Sequence, residues 1–293
     1  MGIESDQEAK IFGQGRNFFH LENWLFSYSA IRNTLRICGL YGLGKRNALR
    51  IQCRNNEIAV KNLPEAFNGY TILHISDLHL DMNEHIPQAL VERVHNLEYD
   101  ICVLTGDYRG LTLGPYEPAL DGLRHVRPFL KKEVIGVLGN HDSINMVPGM
   151  EKMDIRMLLN ESFCIQRDEQ KIYLAGIDDP HYYRTDNIEK AYQDIPQDAV
   201  SILLAHTPEI YKQAAHADFD VMLCGHTHGG QICLPGGIPI TYNANCSRRV
   251  CAGNWRYHQL NGYTSVGSGV SVVDARLNCP AEVTLHRLIP DYT

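Results

Sequence analysis

The feature that most constrains this chain is a repeated order of buried strand, polar loop and helix after residue 63. Apolar, β-branched runs predict strands at 70–76, 100–106, 132–140, 199–208 and 219–228. Segments with helical spacing at 88–98, 117–130 and 208–216 lie between them. This alternation predicts an α/β fold in which helices cover the faces of a largely parallel sheet.

The remaining strand signals indicate a second sheet with more antiparallel pairing. Residues 163–178 have the pattern of a hairpin whose turn lies at 168–170. The stretches 257–269 and 281–290 suggest further antiparallel strands. A chain of 293 residues, 44% of them hydrophobic, is long enough to bury a substantial core.

The N-terminal part of the chain differs from the rest in charge. Residues 23–56 contain six basic and no acidic residues, although the whole chain has a net charge of −7. Such a basic segment, rich in apolar and aromatic residues, is typical of a helix at a membrane interface. The alternative is an ordinary amphipathic helix packed on its own domain. We therefore expect an N-terminal basic amphipathic segment at 1–60, with peripheral membrane contact through 17–56, and a catalytic domain at 61–293.

Several classes of protein are disfavoured by composition. The negative net charge argues against nucleic acid as a partner. We find no apolar stretch of the roughly 20 residues that span a bilayer, and the polar N-terminus is unlike a signal peptide. The nine cysteines are odd in number and lack paired C-x-x-C spacing, which is typical of reduced thiols. A cytoplasmic protein, peripheral on the inner membrane if the basic segment binds lipid, is expected.

Each of the five strands predicted in the alternating part of the chain ends in side chains of types that bind metals. These are Asp77 and His79, Asp107, then Asn140, His141 and Asp142, then His206, and finally His226 and His228. In open α/β sheets, ligands bind outside the carboxyl ends of the strands. Strands distant in sequence should therefore deliver these groups to one rim. "GHTH" is the most specific of the motifs, and all five occur once, each after an apolar strand.

The donor set indicates the chemistry. Two aspartates, an asparagine and four histidines combine oxygen and nitrogen ligands, which suits Mn, Fe, Zn or Co better than Ca or Mg. Seven ligands are too many for one tetrahedral site. Two ions about 3.5–4 Å apart form the arrangement used for in-line displacement at phosphorus, with a hydroxide between them as nucleophile. The residues therefore predict two divalent metal ions (Mn, Fe or Zn) and a phosphohydrolase.

On these motifs the chain resembles the calcineurin-like metallophosphoesterase superfamily, from about residue 70 to 288. The resemblance implies a four-layer α/β/β/α sandwich of two mixed sheets. It implies a first metal held by Asp77, His79 and His228, a second held by Asn140, His206 and His226, and Asp107 bridging both. His141 would be the general acid for the phosphate or leaving-group oxygen, and Asp142 would orient and charge His141.

A narrower resemblance is to a bacterial subgroup of small, membrane-associated metallophosphatases. It rests on "AHTPE", "GHTHGGQICLPGG" and "ARLNCPAEVTLHRL". One branch of that subgroup cleaves the pyrophosphate of UDP-diacylglucosamine in lipid A synthesis. Subgroup members often carry Arg-Gly where this chain has Val266 and Gly267, so the substrate of that branch does not transfer directly.

Two further residues are candidates for substrate binding. Arg109 could hold a phosphate bidentately, or it could be a surface arginine paired with an acid. His181, in the loop "IDDPHYY", could wall the site or hold a nucleobase, or it could be packing. His74, inside the first strand, is interpreted as a hydrogen-bonded core histidine.

Three functions remain open at this point. The first is hydrolysis of a phosphoester or pyrophosphate bond in a phosphorylated small molecule or lipid, such as UDP-diacylglucosamine. The second is a soluble phosphodiesterase acting on cyclic nucleotides or glycerophosphodiesters. The third is a non-catalytic scaffold of the same fold, although a purely structural metal site would not need His141.

Overall fold

The computed structural model describes residues 25–292, and fourteen strands within them form two six-stranded sheets and a small hairpin. The first sheet contains β1 (Gln52–Val60), β2 (Thr71–Ile75), β3 (Ile101–Thr105), β4 (Val134–Val137), β5 (Ile155–Met157) and β14 (Glu282–Pro290), in the order β1-β14-β2-β3-β4-β5. The second contains β6 (Glu161–Arg167), β7 (Gln170–Gly176), β8 (Ser201–Leu204), β9 (Val221–Cys224), β12 (Gly253–Tyr257) and β13 (Leu260–Thr264), in the order β12-β13-β9-β8-β7-β6. The hairpin is β10 (Cys233–Leu234) with β11 (Ile238–Pro239).

Seven α-helices and several 3-10 turns connect the strands of the described region. The helices are α1 (Leu25–Ile37), α2 (Tyr41–Ala48), α3 (Ile86–Val94), α4 (Glu117–Val126), α5 (Val147–Glu151), α6 (Ile188–Tyr192) and α7 (Tyr211–His216). The 3-10 turns are Glu65–Phe67, Arg127–Phe129, Ile144–Met146, Pro208–Ile210, His228–Gly230 and Arg248–Val250.

The layers follow from the alternation of apolar residues along buried strands. In β3, Ile101 and Val103 face the second sheet, whereas Cys102 and Leu104 face α3 and α4. The helices α6 and α7 cover the outer face of the second sheet. The predicted α/β/β/α sandwich of two mixed sheets is therefore confirmed.

The strands after residue 250 depart from purely antiparallel pairing. β12 and β13 do pair antiparallel, but β13 lies parallel to β9. β14 crosses to the first sheet, where it runs antiparallel to β2 and parallel to β1. Both sheets thus gain a parallel partner that local alternation of residues does not specify.

The described part of the N-terminal segment contacts the rest of the molecule through β1, α1 and α2, and in α2 Lys45 pairs with Asp274 at 3.2 Å. β1 joins the first sheet through β14. Its last residue, Val60, is also the last residue before the predicted boundary between 60 and 61. In α1, Leu35 is buried against Val273, Ala275 and Leu277. The helix therefore packs on its own domain along one face, while residues 17–24 of the predicted membrane segment lie outside the described residues. The division into 1–60 and 61–293 stays a prediction.

Two buried histidines on the neighbouring strands β2 and β14 lie close together in the first sheet, away from the rim. His74 Nδ1 lies 3.2 Å from His286 Nε2, His74 Nε2 lies 2.8 Å from Thr105 Oγ1, and His286 Nδ1 lies 3.0 Å from Asn56 Nδ2. The Asn56 Nδ2 group can only donate, so His286 Nδ1 accepts its hydrogen. In the neutral tautomers that follow, His286 Nε2 donates to His74 Nδ1, and His74 Nε2 donates to Thr105 Oγ1. Burial lowers the pKa of His74 to about 3 and that of His286 well below its usual range. His74 is the core histidine that the sequence predicts.

This pair is expected to make folding sensitive to acid. Below the unfolded pKa of about 6.5, the unfolded histidines bind protons that the folded pair excludes, so stability falls as pH decreases. Each histidine contributes about 1.4 kcal/mol per pH unit to that slope. Denaturant unfolding between pH 6.0 and 5.0 should show a shallower slope for His286→Phe than for the wild type. The exposed His125→Gln is the control and should keep the wild-type slope; equal slopes for all three proteins would contradict the prediction.

Candidate active site

Both sheets present the carboxyl ends of their parallel strands at one edge of the sandwich. The loops after β2, β3 and β4 meet the loops after β8 and β9 there, and all seven predicted metal ligands are buried. In each of three groups of described residues, the ligand atoms lie within 4.8 Å of one another. The first ligand group is Asp77 with His79 and His228, the second is Asp107 with His206 and His226, and a third consists of His181, Glu209 and His226. The structure thus brings together the residues that the sequence places at strand ends.

Five of these ligands occupy the left-handed backbone region, which non-glycine residues rarely adopt. Their φ angles are +50° at Asp77, +41° at His79, +55° at Asp107, +73° at His226 and +50° at His228. Such conformations cluster at functional sites, where the surrounding structure must hold them. Here they turn the side chains back over the strand ends towards a common centre.

Close approach of the two sheets requires a glycine before His226. A Cβ at Gly225 would clash with Ser76 Oγ and with Asp77 Oδ2, both from the loop after β2. The His226 amide can therefore donate to Asp77 Oδ1 at 3.0 Å. This contact joins the ends of the two sheets at the site itself.

The first ligand group converges on a small space. His79 Nε2 lies 3.0 Å from His228 Nε2, which is 3.4 Å from Asp77 Oδ1. His79 Nδ1 donates to the Arg109 carbonyl at 2.8 Å, so its Nε2 carries a lone pair. A ring nitrogen fixed in this way by a backbone carbonyl is the usual support of a metal-binding histidine.

The second ligand group has the same construction. His206 Nε2 lies 2.9 Å from Asn140 Oδ1 and 3.2 Å from His226 Nδ1. His206 Nδ1 donates to the Thr105 carbonyl at 2.8 Å, which again directs Nε2 into the cluster. Asn140, Asp107, His206 and His226 therefore offer four donors on one side of the rim.

Asp107 lies between the two groups. Its Oδ2 is 3.7 Å from His79 Nε2 and 3.3 Å from His206 Nε2. Its Oδ1 accepts the His141 amide at 2.9 Å. One carboxylate is thus positioned to serve both sites.

The electrostatics of the cluster fit divalent cations. Burial lowers the pKa of His79 to about 4 and holds the pKa values of His226 and His228 well below the usual range, so these imidazoles are neutral. Although burial opposes it, the Asp107 carboxylate raises the pKa of His206 to about 10. Ring nitrogens of neighbouring histidines approach each other beside the buried carboxylates of Asp77 and Asp107, and a bound cation would offset the negative charge of these carboxylates. The residues present therefore fit metal ions.

The described contacts of the Asp142 carboxylate are with backbone amides, and its expected role towards the His141 ring stays a prediction. The Asp142 carboxylate accepts amide hydrogens from Asp107 at 2.8 Å, Tyr108 at 2.9 Å and Gly139 at 2.8 Å. Both oxygens are thereby used to join the loops after β3 and β4. Burial raises the pKa of this carboxyl to about 7. Asp142 supports the backbone that carries Asp107.

His141 is oriented by a residue that the sequence analysis missed. Thr112 Oγ1 lies 2.9 Å from His141 Nδ1, and the His141 ring packs edge-on against His79 with centroids 5.7 Å apart. No spacing pattern marks Thr112, because the contact depends on the path of the loop after β3. His141 thus lies beside the first ligand group without belonging to it.

Arg109 is buried, and its guanidinium faces backbone oxygens. It donates to the carbonyls of His141, Thr112 and Gly114, the last at 3.0 Å. These contacts hold the segment that positions Thr112. A direct contact of Arg109 with substrate stays a prediction.

His181 lies behind the second ligand group. Its ring centroid is 4.3 Å from that of His226, and its Nδ1 is 3.1 Å from Glu209 Oε1. Glu209 follows the His206 motif, but the sequence analysis did not single it out. The contact of His181 with substrate also stays a prediction.

Arg276 is a further buried residue that sequence reasoning missed. Its Nη2 lies 3.3 Å from His228 Nδ1 and donates to the carbonyls of Val266 and Gly269. It therefore ties the loop after β13 to a ligand of the first group. A lone arginine in a loop gives no sequence signal of such a role.

Comparison with known proteins agrees with this geometry. The family model for calcineurin-like phosphoesterases matches residues 70–230. The uncharacterized metallophosphoesterase YkoQ of Bacillus subtilis is 29% identical over 90% of this chain and 94% of its own length. The phosphodiesterase YaeI of Escherichia coli is 28% identical over 75% of this chain and 82% of its own. A transmembrane protein with a metallophosphoesterase domain from Danio rerio is 30% identical over 78% of this chain and 55% of its own. The chain therefore belongs to the calcineurin-like phosphoesterases and is a metal-dependent phosphohydrolase.

Proposed function

We propose that this protein hydrolyses a phosphodiester or pyrophosphate bond with two divalent ions, on a lipid-linked or nucleotide-linked substrate such as UDP-diacylglucosamine. The observation that carries the proposal is the position of Asp107 between two groups of buried oxygen and nitrogen donors. Mn, Fe and Zn all suit this ligand set. The similarity to YaeI, named a phosphodiesterase, supports a phosphodiester substrate.

The chain's own residues would act around the phosphate. Two bound ions would lower the pKa of a bound water and withdraw charge from the phosphoryl oxygens. Thr112 fixes the His141 ring through Nδ1, which leaves Nε2 to give a proton to the leaving-group oxygen. Asp142 and Arg109 hold the loops that carry Asp107 and Thr112. His141 is therefore the proposed general acid.

Metal dependence is the direct test of the chemistry. We expect purified protein supplied with Mn²⁺ to hydrolyse bis-p-nitrophenyl phosphate and to bind two ions per chain by elemental analysis. EDTA should abolish turnover, and added Mn²⁺ should restore it. Protein that binds one ion or none and stays inactive with Mn²⁺, Fe²⁺ or Zn²⁺ would overturn the proposal in favour of a non-catalytic scaffold.

Peripheral contact with the cytoplasmic face of a membrane is a further part of the proposal. In α1 and the turn after it, Ile37 is 87% exposed and Leu40 is 40% exposed, and Arg32 and Arg36 are also exposed. Exposed apolar residues beside basic ones suit an anionic lipid surface. No helix in residues 25–292 is long and apolar enough to cross a bilayer.

Vesicle binding checks this contact. Ile37→Asp should weaken co-sedimentation with anionic vesicles by about tenfold, since burial of an isoleucine side chain is worth about 1.5–3 kcal/mol. Phe129→Asp changes an exposed apolar residue outside α1 and α2 and is the control. If the wild type does not bind vesicles, or if both variants bind as it does, the membrane contact is wrong. The function of a soluble phosphodiesterase would then be better supported.

A further inference from the structure

A cavity of about 390 Å³ opens directly beside the two ligand groups. Asp107, His141, His226 and His228 belong to its lining. The apolar part of the lining consists of Ile31, Ile232, Ile240, Tyr242, Val272 and Val273, and the polar residues Thr227, Gln231, Thr241, Asn243 and Ser271 also line the cavity. Its volume lies within the range of small-ligand pockets, about 300–1,000 Å³. The cavity therefore continues the candidate active site into an apolar space.

One wall of this cavity holds a strained residue. Val272 has φ +62°, and a β-branched residue in the left-handed region is a true outlier. Strain of this kind persists only where the surroundings hold it, and it is concentrated at ligand sites. The conformation places a valine where the turn itself would favour glycine or asparagine.

The side chain of Gln231 holds this loop. Its Nε2 donates to the carbonyls of Ser271 at 2.7 Å, Val273 at 2.9 Å and Ala275 at 3.1 Å, and its Oε1 accepts the Ser271 amide at 2.8 Å. Gln231 is buried and follows the 3-10 turn that begins at the metal ligand His228. The wall that carries Val272 is thus fixed relative to the first ligand group.

Two other segments complete the apolar part of the lining. Ile31 comes from α1, whose Leu35 packs against Val273 on the same loop. Ile240, 61% exposed, follows β11, which lies against Gly230 so closely that a Cβ there would be 2.6 Å from Pro239 Cβ. The N-terminal helix and the hairpin therefore frame an open space next to the metal centre.

We propose that this cavity binds a hydrocarbon chain of the substrate, attached to the phosphate that lies between the two ligand groups. The inference rests on the proposed function and narrows its substrate to the lipid-linked class, a phosphodiester that carries a hydrocarbon chain. Continuity of the cavity with His226 and His228 places one end of the occupant at the phosphate. Most of the lining surface is apolar, so a nucleoside or sugar there would lose hydration against isoleucine and valine side chains.

Ligands that differ only in chain length test this proposal. Binding of methylphosphonate and octylphosphonate to Mn²⁺-loaded protein is measured by calorimetry, which needs no turnover. Hydrolysis is followed with methyl and octyl p-nitrophenyl phosphate, whose leaving groups are identical, below the concentration at which the octyl ester forms micelles. We expect the octyl compound to be favoured about tenfold or more in both affinity and kcat/KM, because its chain leaves water.

Matched variants then locate the chain. Ile240→Asp should reduce the octyl-to-methyl ratio at least fivefold, whereas Ile238→Asp, which is 57% exposed on β11 but does not line the cavity, should leave it unchanged. Val272→Asn should also reduce the ratio, while its Tm stays at or above the wild-type value, since asparagine tolerates the left-handed conformation. A purely structural role of Val272 would leave the ratio unchanged.

The outcomes separate this inference from the proposed function. Hydrolysis of the methyl ester with no preference for the octyl compounds would overturn the chain-binding cavity and leave the hydrolase intact. Octylphosphonate preference without hydrolysis of either ester would support the cavity and overturn the hydrolase. A ratio equally reduced by Ile238→Asp and Ile240→Asp would place the chain on the outer surface and also overturn the inference.

Discussion

Asp107→Ala is expected to abolish hydrolysis of bis-p-nitrophenyl phosphate and to lower the number of bound metal ions. Asp107 Oδ2 is the donor that lies near ligands of both groups, His79 and His206. Without it, neither ion keeps its full ligand set, and the separation between the ions is no longer fixed. The loss in kcat/KM should be about 10³-fold or more, at or above the scale measured when one stabilising group is removed.

The matched control for this variant is Asp121→Ala, which removes an exposed carboxylate that pairs with Arg124 on α4. It should bind two ions and turn over at the wild-type rate. Mn²⁺ should raise the Tm of the wild type and of Asp121→Ala but not that of Asp107→Ala. An Asp107→Ala protein that binds two ions and keeps a tenth of wild-type activity would show that the bridging role is wrong.

His141→Ala is expected to separate metal binding from catalysis. Its ring lies beside the first ligand group, held by Thr112, and is not a ligand. The variant should keep two metal ions and lose about 10²–10⁴-fold in kcat for a diester with a poorly acidic alcohol, the usual contribution of a general acid. The loss should be much smaller for p-nitrophenyl esters, whose leaving group needs no proton.

Thr112 provides an intermediate test of the same role. Thr112→Val should slow hydrolysis of the poor leaving group more than that of the p-nitrophenyl ester, and Thr112→Ser, which keeps the hydroxyl, should restore most of the rate. Equal losses for good and poor leaving groups in His141→Ala would instead assign the imidazole to phosphate binding.

The layers of the fold and the identity of the rim residues could be predicted from the sequence. Apolar runs specify buried strands, and the parallel order places their carboxyl ends together. Asp77, His79, Asp107, His206, His226 and His228 consequently meet as predicted. The left-handed backbone at five ligands was not predictable, because it is imposed by contacts between loops. The close fit of Gly225 on Ser76 and Asp77 is one of them.

The contacts that support the site residues could not be predicted from the sequence for a related reason. Asp142 bonds to backbone amides. Nearly every residue has such an amide, so the sequence does not show which ones a carboxylate will contact. The motif G-N-H-D suggests a carboxylate beside an imidazole, but no motif indicates that Thr112 lies beside His141. Gln231 likewise bonds to the carbonyl of Ser271, 40 residues away in the sequence. Arg276 bonds to the carbonyl of Val266 in a loop that carries no metal-binding motif.

The position of β14 has a consequence for how the protein is made on the ribosome. This strand pairs with both β1 and β2, and Asp77 follows β2. All seven predicted ligands emerge from the exit tunnel before β14 does, so a nascent chain has every donor while β2 still has an open edge. Assembly of the metal centre should therefore wait for the last strand, and the cell must protect an exposed strand edge until translation reaches it.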